Sequence, residues 1–231
     1  PQRPSQVTAR IAHGQPAAGH EPMPRIARLR FRVASVAVFL HGVAISGLVT
    51  ATLGLWLRRS YGETTLVLGI VLGVATVTGF LLSARFLGDF LWGPIVGHLA
   101  DRWGPVRVTL LAGAIEVGTL ALLALPVSLA WTATTAVALF LASTALQVSL
   151  DATVGGLVPE GQRARLLGWY STWLDLGAAT GPLLGYAIEG GAQLQWLYLA
   201  VAASLAVVGV VYVAVFTREG KGDLTEASQA R

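Results

Sequence analysis

The fold is decided by the stretch Gly97-His98-Leu99-Ala100-Asp101-Arg102-Trp103-Gly104-Pro105-Val106-Arg107. Its charged residues, together with Gly104 and Pro105, lie between two long apolar segments. Glycine and proline favour turns, and charged side chains are costly inside a bilayer. The stretch therefore predicts a tight turn between two membrane-spanning helices.

The composition also indicates a membrane protein. Hydrophobic residues make up 54% of the 231 residues and charged residues only 12%, whereas soluble domains average about 45–50% apolar and about 25% charged residues. The formal net charge is +4, but the basic residues flank apolar segments, which indicates membrane topology rather than nucleic-acid binding. Because the chain has no cysteine, disulfides, thiolate metal sites and a catalytic thiol are excluded.

Six apolar segments are long enough to cross a bilayer, which takes about 20 residues each. The hydrocarbon offers no water to backbone groups, so these continuous segments must be helices; a β-barrel would show short alternating strands. The second segment is too long for one straight span, and Pro94 predicts a bend near its end. The prediction is an all-α, polytopic six-helix transmembrane bundle with spans at 34–57, 65–100, 106–125, 131–157, 164–188 and 195–216.

Polar segments flank the predicted bundle, which covers residues 34–217. Residues 1–33 predict a flexible basic tail or interdomain linker, and residues 218–231 a polar C-terminal tail. Thirteen of the 16 basic residues fall on one side; the exceptions are Arg58 and Arg59, in a loop on the other side, and Arg85, within a span. The positive-inside rule therefore places both termini in the cytoplasm. We expect the chain to be an integral protein of the plasma membrane.

A glycine motif lies in the fifth span, at Gly168, Gly177, Gly181 and Gly185, with Pro182 beside the third glycine. Small residues spaced by four form a groove where another helix can approach closely. Pro182 removes a backbone hydrogen bond and lets the helix bend. These five residues predict a helix-packing surface, either as part of a transporter's gate or as close packing alone.

The two motifs resemble those of the major facilitator superfamily of secondary transporters. The pattern G-x-x-x-D-R-x-G-x-x-R is similar to its motif A, although Pro105 stands where a basic residue is usual. The glycine pattern is similar to motif C of the drug/proton antiporter branch, with Tyr186 in place of the last glycine. The resemblance covers residues 34–217 and implies one six-helix half of the fold.

Residues 81–86 and 175–179 favour the C-terminal half of that fold. The chain begins with Pro1 and its only methionine is Met23, so we expect it to be a fragment of a longer protein. The resemblance implies proton-coupled efflux of a small solute by alternating access. The implied partners are the lipid bilayer, the other six-helix half in the same polypeptide or a separate chain, a small-molecule substrate and protons, without nucleic acid or cofactor.

The resemblance also assigns a cytoplasmic gate to the motif A residues. Charge contacts from this turn, with Glu160 or Arg163 as partners, would hold the cytoplasmic side closed in one state and break in the other. A turn whose charges only fix orientation is the alternative. The gate residues are Gly97, Asp101, Arg102, Gly104 and Arg107.

Several ionisable residues lie within the spans, where such groups usually face a cavity or a partner. A rise of about 1.5 Å per residue places most of them near mid-depth. Arg85 and Asp89 are one turn apart and can pair, and a change in their distance could load and unload a proton. For Glu116 we instead predict that the side chain bonds a neighbouring helix or snorkels toward the membrane surface. The candidates for proton coupling or a substrate cavity are Arg85, Asp89, Asp151, Asp175 and His41, the last two with a purely structural role as the alternative.

Motifs of soluble enzymes are absent from the sequence, including the phosphate-binding loop, H-E-x-x-H and G-x-S-x-G. An intramembrane protease using Asp89 and Asp151 would lack its supporting motifs. The chain is therefore predicted to be neither an enzyme nor a metal-binding protein. A non-transporting six-helix interaction or scaffold protein is the alternative to a transporter, and a substrate-accumulation assay distinguishes the two.

Overall fold

The computed structural model describes residues 23–67, 70–188 and 191–217. Within these ranges the chain forms six long helices and one β-hairpin, so the predicted all-α architecture is confirmed apart from the hairpin. A short 3₁₀ turn, Glu160–Gln162, precedes the fifth helix. The elements are α1 (Arg25–Tyr61), β1 (Thr64–Val67), β2 (Ile70–Gly73), α2 (Val74–Trp103), α3 (Pro105–Leu123), α4 (Leu129–Leu157), α5 (Arg163–Ala187) and α6 (Gly191–Phe216).

Helix α1 is 37 residues long and contains a π-helical segment, Gly42–Val49. It begins nine residues before the predicted span, because its first turns are amphipathic: Phe31 and Ala34 are buried while Arg28 and Arg32 are exposed. Residues 25–33, which the sequence placed in a tail, are therefore helical. Residues 1–22 and 218–231 lie outside the described residues, so both tails stay predictions.

The second predicted span, 65–100, divides into a hairpin and a helix. Strands β1 and β2 pair in antiparallel register, with Thr64 opposite Gly73. Helix α2 then runs for 30 residues and contains Pro94. Proline has no N–H, so the carbonyl of Phe90 lacks its usual helical partner at this position. The hairpin thus accounts for the excess length of the apolar segment.

The turn between α2 and α3 consists of one residue, Gly104, as the sequence predicted for a tight turn. Its φ of 88° lies in the region that favours glycine, and its N–H donates to the carbonyl of Ala100 at 2.9 Å. Pro105 is the first residue of α3, a position that needs no N–H donor and suits the fixed φ of proline. This geometry accommodates proline at position 105.

Among the described residues the bundle has two large apolar clusters, one toward the hairpin and one toward the opposite end, and a small third cluster beside Gly104 that includes Ala100 and Val108. We call these ends the hairpin end and the turn end. Early residues of α1 and α3 share the turn-end cluster with late residues of α4 and α6, so these helices alternate in direction. Members of that cluster include Phe31, Val38, Ala112, Leu150, Val154 and Tyr212.

Five of the six long helices in the described ranges are long and apolar enough to cross a membrane. The other, α5, has 25 residues, which at about 1.5 Å per residue is also sufficient length. It is less apolar because its sequence includes Arg163, Arg165 and Asp175 together with several glycines and hydroxyl groups. The backbone of α5 packs directly against α1, so its position in the bundle depends on contact with a neighbouring helix as well as on hydropathy.

Candidate functional site

A polar cavity of about 310 Å³ lies among α1, α2, α4 and α5. It brings together three of the five residues that the sequence proposed for proton coupling or substrate binding. The cavity is lined by His41, Ser46, Arg85, Asp89, Ser143, Thr144, Gln147, Val148 and Leu174. The cavity therefore groups one cation, one carboxylate and several hydroxyl and amide side chains between four helices.

Arg85 connects α2 to two neighbouring helices. Its guanidinium donates hydrogen bonds to the hydroxyls of Thr50 and, at 3.3 Å, Ser46 on α1. Its Cζ also lies 5.7 Å from the centroid of the Phe140 ring on α4, within range of a cation–π interaction. The buried Nε has no hydrogen-bond partner in the described part of the chain, so the guanidinium keeps an unused donor.

Asp89 is held by α4 rather than by the arginine one turn away. Its carboxylate accepts a hydrogen bond from the hydroxyl of Thr144. The direct Arg85–Asp89 pair suggested by their spacing is thus replaced by bonds from each residue to a different helix. The reason is that hydroxyl groups on α1 and α4 face α2 at this depth. Both side chains still line the same cavity.

His41 and Glu116 form a buried pair between α1 and α3. The imidazole Nδ1 lies 3.0 Å from both carboxylate oxygens of Glu116. The two residues are only 3% and 0% exposed. The prediction that Glu116 bonds a neighbouring helix is confirmed, and its partner is a residue that the sequence analysis had considered separately.

Asp151 lies at the edge of this arrangement. It is exposed on α4, where it accepts hydrogen bonds from the side-chain amide of Gln147 at 2.9 Å and from the hydroxyl of Tyr170 at 3.0 Å. Because Gln147 lines the cavity, Asp151 is connected to it through one side chain. Asp175 is exposed on α5 and does not line the cavity. Among the described residues there is no His, Cys, Asp and Glu cluster suited to a metal ion.

The glycine motif of α5 packs against the π-helical part of α1. A Cβ on Gly177 would lie 2.2 Å from the carbonyl oxygen of Phe39, and a Cβ on Gly181 would lie 2.3 Å from the backbone nitrogen of Leu48. A Cβ on Gly185 would lie 2.4 Å from Thr52 Cγ2. Real Cβ atoms do not approach other atoms so closely, so the two backbones are in direct contact.

The other two members of the glycine motif have different surroundings. Gly168 is outside the contact, since a Cβ there would meet no atom within 4 Å. Pro182 lies within α5 and leaves the carbonyl of Ala178 without its helical N–H partner. That carbonyl oxygen is 2.8 Å from where a Cβ on Gly47 would lie, so the backbone of α1 covers it.

A family model described as Major Facilitator Superfamily matches residues 34–231 of the chain. The chain belongs to the major facilitator superfamily. The match includes five of the six long helices completely and α1 from residue 34 onward. Membership and the apolar helices together establish a polytopic, all-α membrane protein, and a transporter family is not an enzyme family.

Two relatives from this superfamily are both named multidrug resistance protein MdtG. The protein of Klebsiella pneumoniae (strain 342) is 26% identical over 172 residues, which are 70% of this chain and 38% of that protein. The protein of Escherichia coli O1:K1 / APEC is 27% identical over 178 residues, which are 72% of this chain and 39% of that protein. The chain therefore spans about two fifths of the length of the relatives that it matches.

The charges of the superfamily's motif A are exposed at the turn end. The side chains of Asp101, Arg102 and Arg107 make no hydrogen bond or ion pair with any residue in the described part of the chain. The expected contacts with Glu160 or Arg163 are not formed in this structure, where both residues are also exposed. These three charges are therefore available to a partner outside the described residues.

The uncharged residues that contact Arg85 and Asp89 were not predicted from the sequence. They are the hydroxyls of Ser46, Thr50 and Thr144 and the ring of Phe140. Serine, threonine and phenylalanine are common in spans, so composition gives no reason to select these four. The spacing of Ser46 and Thr50, one turn apart on α1, is the pattern that could have indicated a polar stripe facing Arg85.

Proposed function

We propose that this chain supplies one six-helix half of a secondary transporter that exports a small solute in exchange for protons. The observation that supports this proposal is the polar cavity containing His41, Arg85 and Asp89 in an apolar bundle. Ionisable groups within a membrane are costly and mark substrate or proton pathways. The two relatives named as multidrug resistance proteins favour efflux over uptake.

The mechanism we propose is alternating access by rigid-body movement of two halves. Helices α1 and α5 are in close backbone contact around Gly177 and Gly181, which supports movement of this half as one body. The other six helices come from the same polypeptide or a separate chain, which agrees with a match to only 38% of a relative. The exposed charges of Asp101, Arg102 and Arg107 would contact that half and stabilise one of the two states.

The test is accumulation of a fluorescent cationic dye, ethidium, by cells that express the complete transporter. We expect lower accumulation than in control cells, and dissipation of the pH gradient should abolish the difference. A scaffold protein would leave accumulation unchanged. Equal accumulation with and without the transporter, for ethidium and for a panel of neutral and anionic dyes, would contradict the proposal.

The proposed topology places both termini in the cytoplasm of a plasma-membrane protein, with the turn end on the same side. Val127, 70% exposed between α3 and α4, and Gly161, exposed before α5, lie at opposite ends of α4. In a cysteine-free background, a Val127→Cys variant should react with an impermeant maleimide in intact cells. A Gly161→Cys variant should react only after permeabilisation. Labelling of both variants in intact cells would exclude this topology.

The motif A proposal predicts a strong effect of a single charge at the turn end. Replacing Asp101 with asparagine should lower transport about tenfold, equivalent to about 1.4 kcal/mol, with normal insertion and expression. The side chain is exposed and makes no contact in the described residues, so its loss leaves this half intact. Dye efflux, normalised to the amount of protein in the membrane, measures the effect. Unchanged efflux would show that the turn only fixes orientation.

A further inference from the structure

The buried pair of His41 and Glu116 contributes an ionisable site that neither motif includes. His41 lines the polar cavity, while Glu116 lies behind it on α3 and is fully buried. The pair joins residues that are 75 positions apart in the chain. Both carboxylate oxygens of Glu116 contact the same imidazole nitrogen, and this contact restricts the orientation of the ring.

With Glu116 ionised, the geometry assigns the proton of the neutral His41 ring to one of its two nitrogens. An ionised carboxylate can only accept hydrogen bonds, so the Nδ1 that lies 3.0 Å from both oxygens of Glu116 must be the N–H donor. The neutral ring therefore has its lone pair on Nε2. This nitrogen makes no hydrogen bond to any residue in the described part of the chain, and the ring it belongs to borders the cavity.

We propose that His41 Nε2 is the atom that binds the transported proton and that Glu116 is its positioning residue. A proton from cavity water adds to Nε2 and gives an imidazolium ion, whose charge is balanced by the carboxylate of Glu116. Loss of the proton to the opposite side restores the neutral Nδ1–H ring. No bond other than N–H forms or breaks. The inference rests on the proposed function, because it specifies where that transporter binds its proton.

The charges around the pair are consistent with one additional positive charge. Helix α2 contributes Arg85 and Asp89, which share the cavity with His41. Helix α4 contributes Asp151 through Gln147, and α5 contributes Tyr170, which donates to Asp151. Helix α6 contributes Tyr212, which lines an apolar cavity of about 250 Å³ together with Glu116. With Glu116 ionised, three carboxylates thus surround one guanidinium and one imidazole, and protonation of the ring brings the formal charges closer to neutrality.

His41 lies next to the backbone contact between α1 and α5. It is the last residue before the π-helical segment, and the next residue, Gly42, lies against the backbone of α5, where a Cβ would be 2.5 Å from the Leu174 carbonyl oxygen. A change in charge at His41 therefore acts on α3 through Glu116 and on α5 through the adjoining backbone. π-Helical segments occur frequently at functional sites.

The decisive variant is His41→Asn in the full-length transporter. Asparagine keeps an N–H group near the position of Nδ1 for Glu116 but has no second nitrogen that can bind a proton. Glu116→Gln removes the counter-charge and the fixed tautomer. The double variant replaces the pair with two amides and avoids an unpaired buried charge if a single variant folds poorly. The matched control is Tyr198→Phe, which breaks a buried 2.8 Å hydrogen bond between α6 and Thr52 of α1 without removing a charge.

Two measurements test the proposal. In a ¹⁵N-histidine NMR pH titration, the signal lost in His41→Asn identifies His41, which should be in the Nδ1–H form when neutral and gain a second N–H when protonated. In proteoliposomes, a pH gradient should stimulate ethidium efflux about tenfold in the wild type and in Tyr198→Phe. Stimulation should be lost in His41→Asn and in the double variant, while ethidium exchange without a gradient persists.

The outcomes separate this inference from the proposed function. If gradient-driven efflux occurs in the wild type and equally in His41→Asn, the transporter is proton-coupled but His41 is not its proton site. A ring that stays neutral over the whole pH range, or that is in the Nε2–H form, overturns the inference by itself. If the wild type shows no gradient-driven efflux of any dye, the proposed function fails and this inference fails with it.

Discussion

Replacing Gly181 with alanine is expected to destabilise the folded bundle by about 2 kcal/mol. The added Cβ would lie 2.3 Å from the Leu48 nitrogen, 2.5 Å from Gly47 Cα and 2.5 Å from the Val43 carbonyl oxygen. Overpacking costs about 1–3 kcal/mol when side chains can adjust, and here the opposing atoms are backbone, which places the cost at the upper end. Alanine recovers only about 1 kcal/mol through its higher helix propensity.

The matched control for this prediction lies on the same helix. Gly168 belongs to the same motif, but a Cβ added there would have no atom within 4 Å, so Gly168→Ala should be neutral or stabilising by up to about 1 kcal/mol. The thermal midpoint of detergent-purified protein, followed by size-exclusion chromatography, measures both effects. Equal midpoints for the two variants would mean that α1 and α5 are not in backbone contact.

Replacing Asp89 with asparagine is expected to reduce transport by about tenfold or more, equivalent to at least about 1.4 kcal/mol in the transport barrier. The amide oxygen of asparagine can still accept the hydrogen bond from Thr144, so the contact between α2 and α4 is retained. What is lost is one negative charge in the cavity that also contains Arg85 and His41. Dye efflux per folded transporter is the quantity to measure.

Two further variants help to interpret the efflux measured for Asp89→Asn. Glu63→Gln removes a carboxylate from an exposed ion pair with Arg58, outside the cavity, and should leave efflux unchanged because such pairs contribute little. An Arg85→Ala/Asp89→Ala double variant removes both charges. If the two residues are only structural, the double variant should lower the amount of folded protein, because the side-chain bonds from α2 to α1 and to α4 are both lost, while efflux per folded transporter stays at the wild-type level. Wild-type efflux per folded transporter in the double variant would therefore remove both residues from the mechanism.

The sequence predicted four of the helices closely. Spans expected at 106–125, 131–157, 164–188 and 195–216 correspond to Pro105–Leu123, Leu129–Leu157, Arg163–Ala187 and Gly191–Phe216. It was less accurate for 34–57 and 65–100. The amphipathic start of α1 lacks the continuous hydropathy of a span, and an apolar segment rich in Thr, Val, Leu and Ile suits a strand as well as a helix.

For the candidate site, the sequence indicated which ionisable residues line the cavity better than it indicated which residues they contact. His41, Arg85 and Asp89 were chosen as ionisable groups within spans, and they line one cavity. Asp175 was chosen for the same reason and lies outside it. The partners of Arg85, Asp89 and His41 are 35, 55 and 75 residues away along the chain, respectively. No local sequence pattern specifies which helix faces will be in contact.

By itself, therefore, the sequence determined the membrane environment, the helical class, the tight turn that contains Gly104 and Pro105, and the small-residue face of α5. These features follow from hydropathy, backbone sterics and side-chain size, which act over a few residues. Only the tertiary structure decided that Glu116 holds His41, that Arg85 binds α1 and that Asp89 binds α4. Those pairings depend on the rotation of each helix about its axis, and that rotation is fixed by the packing of all six helices together.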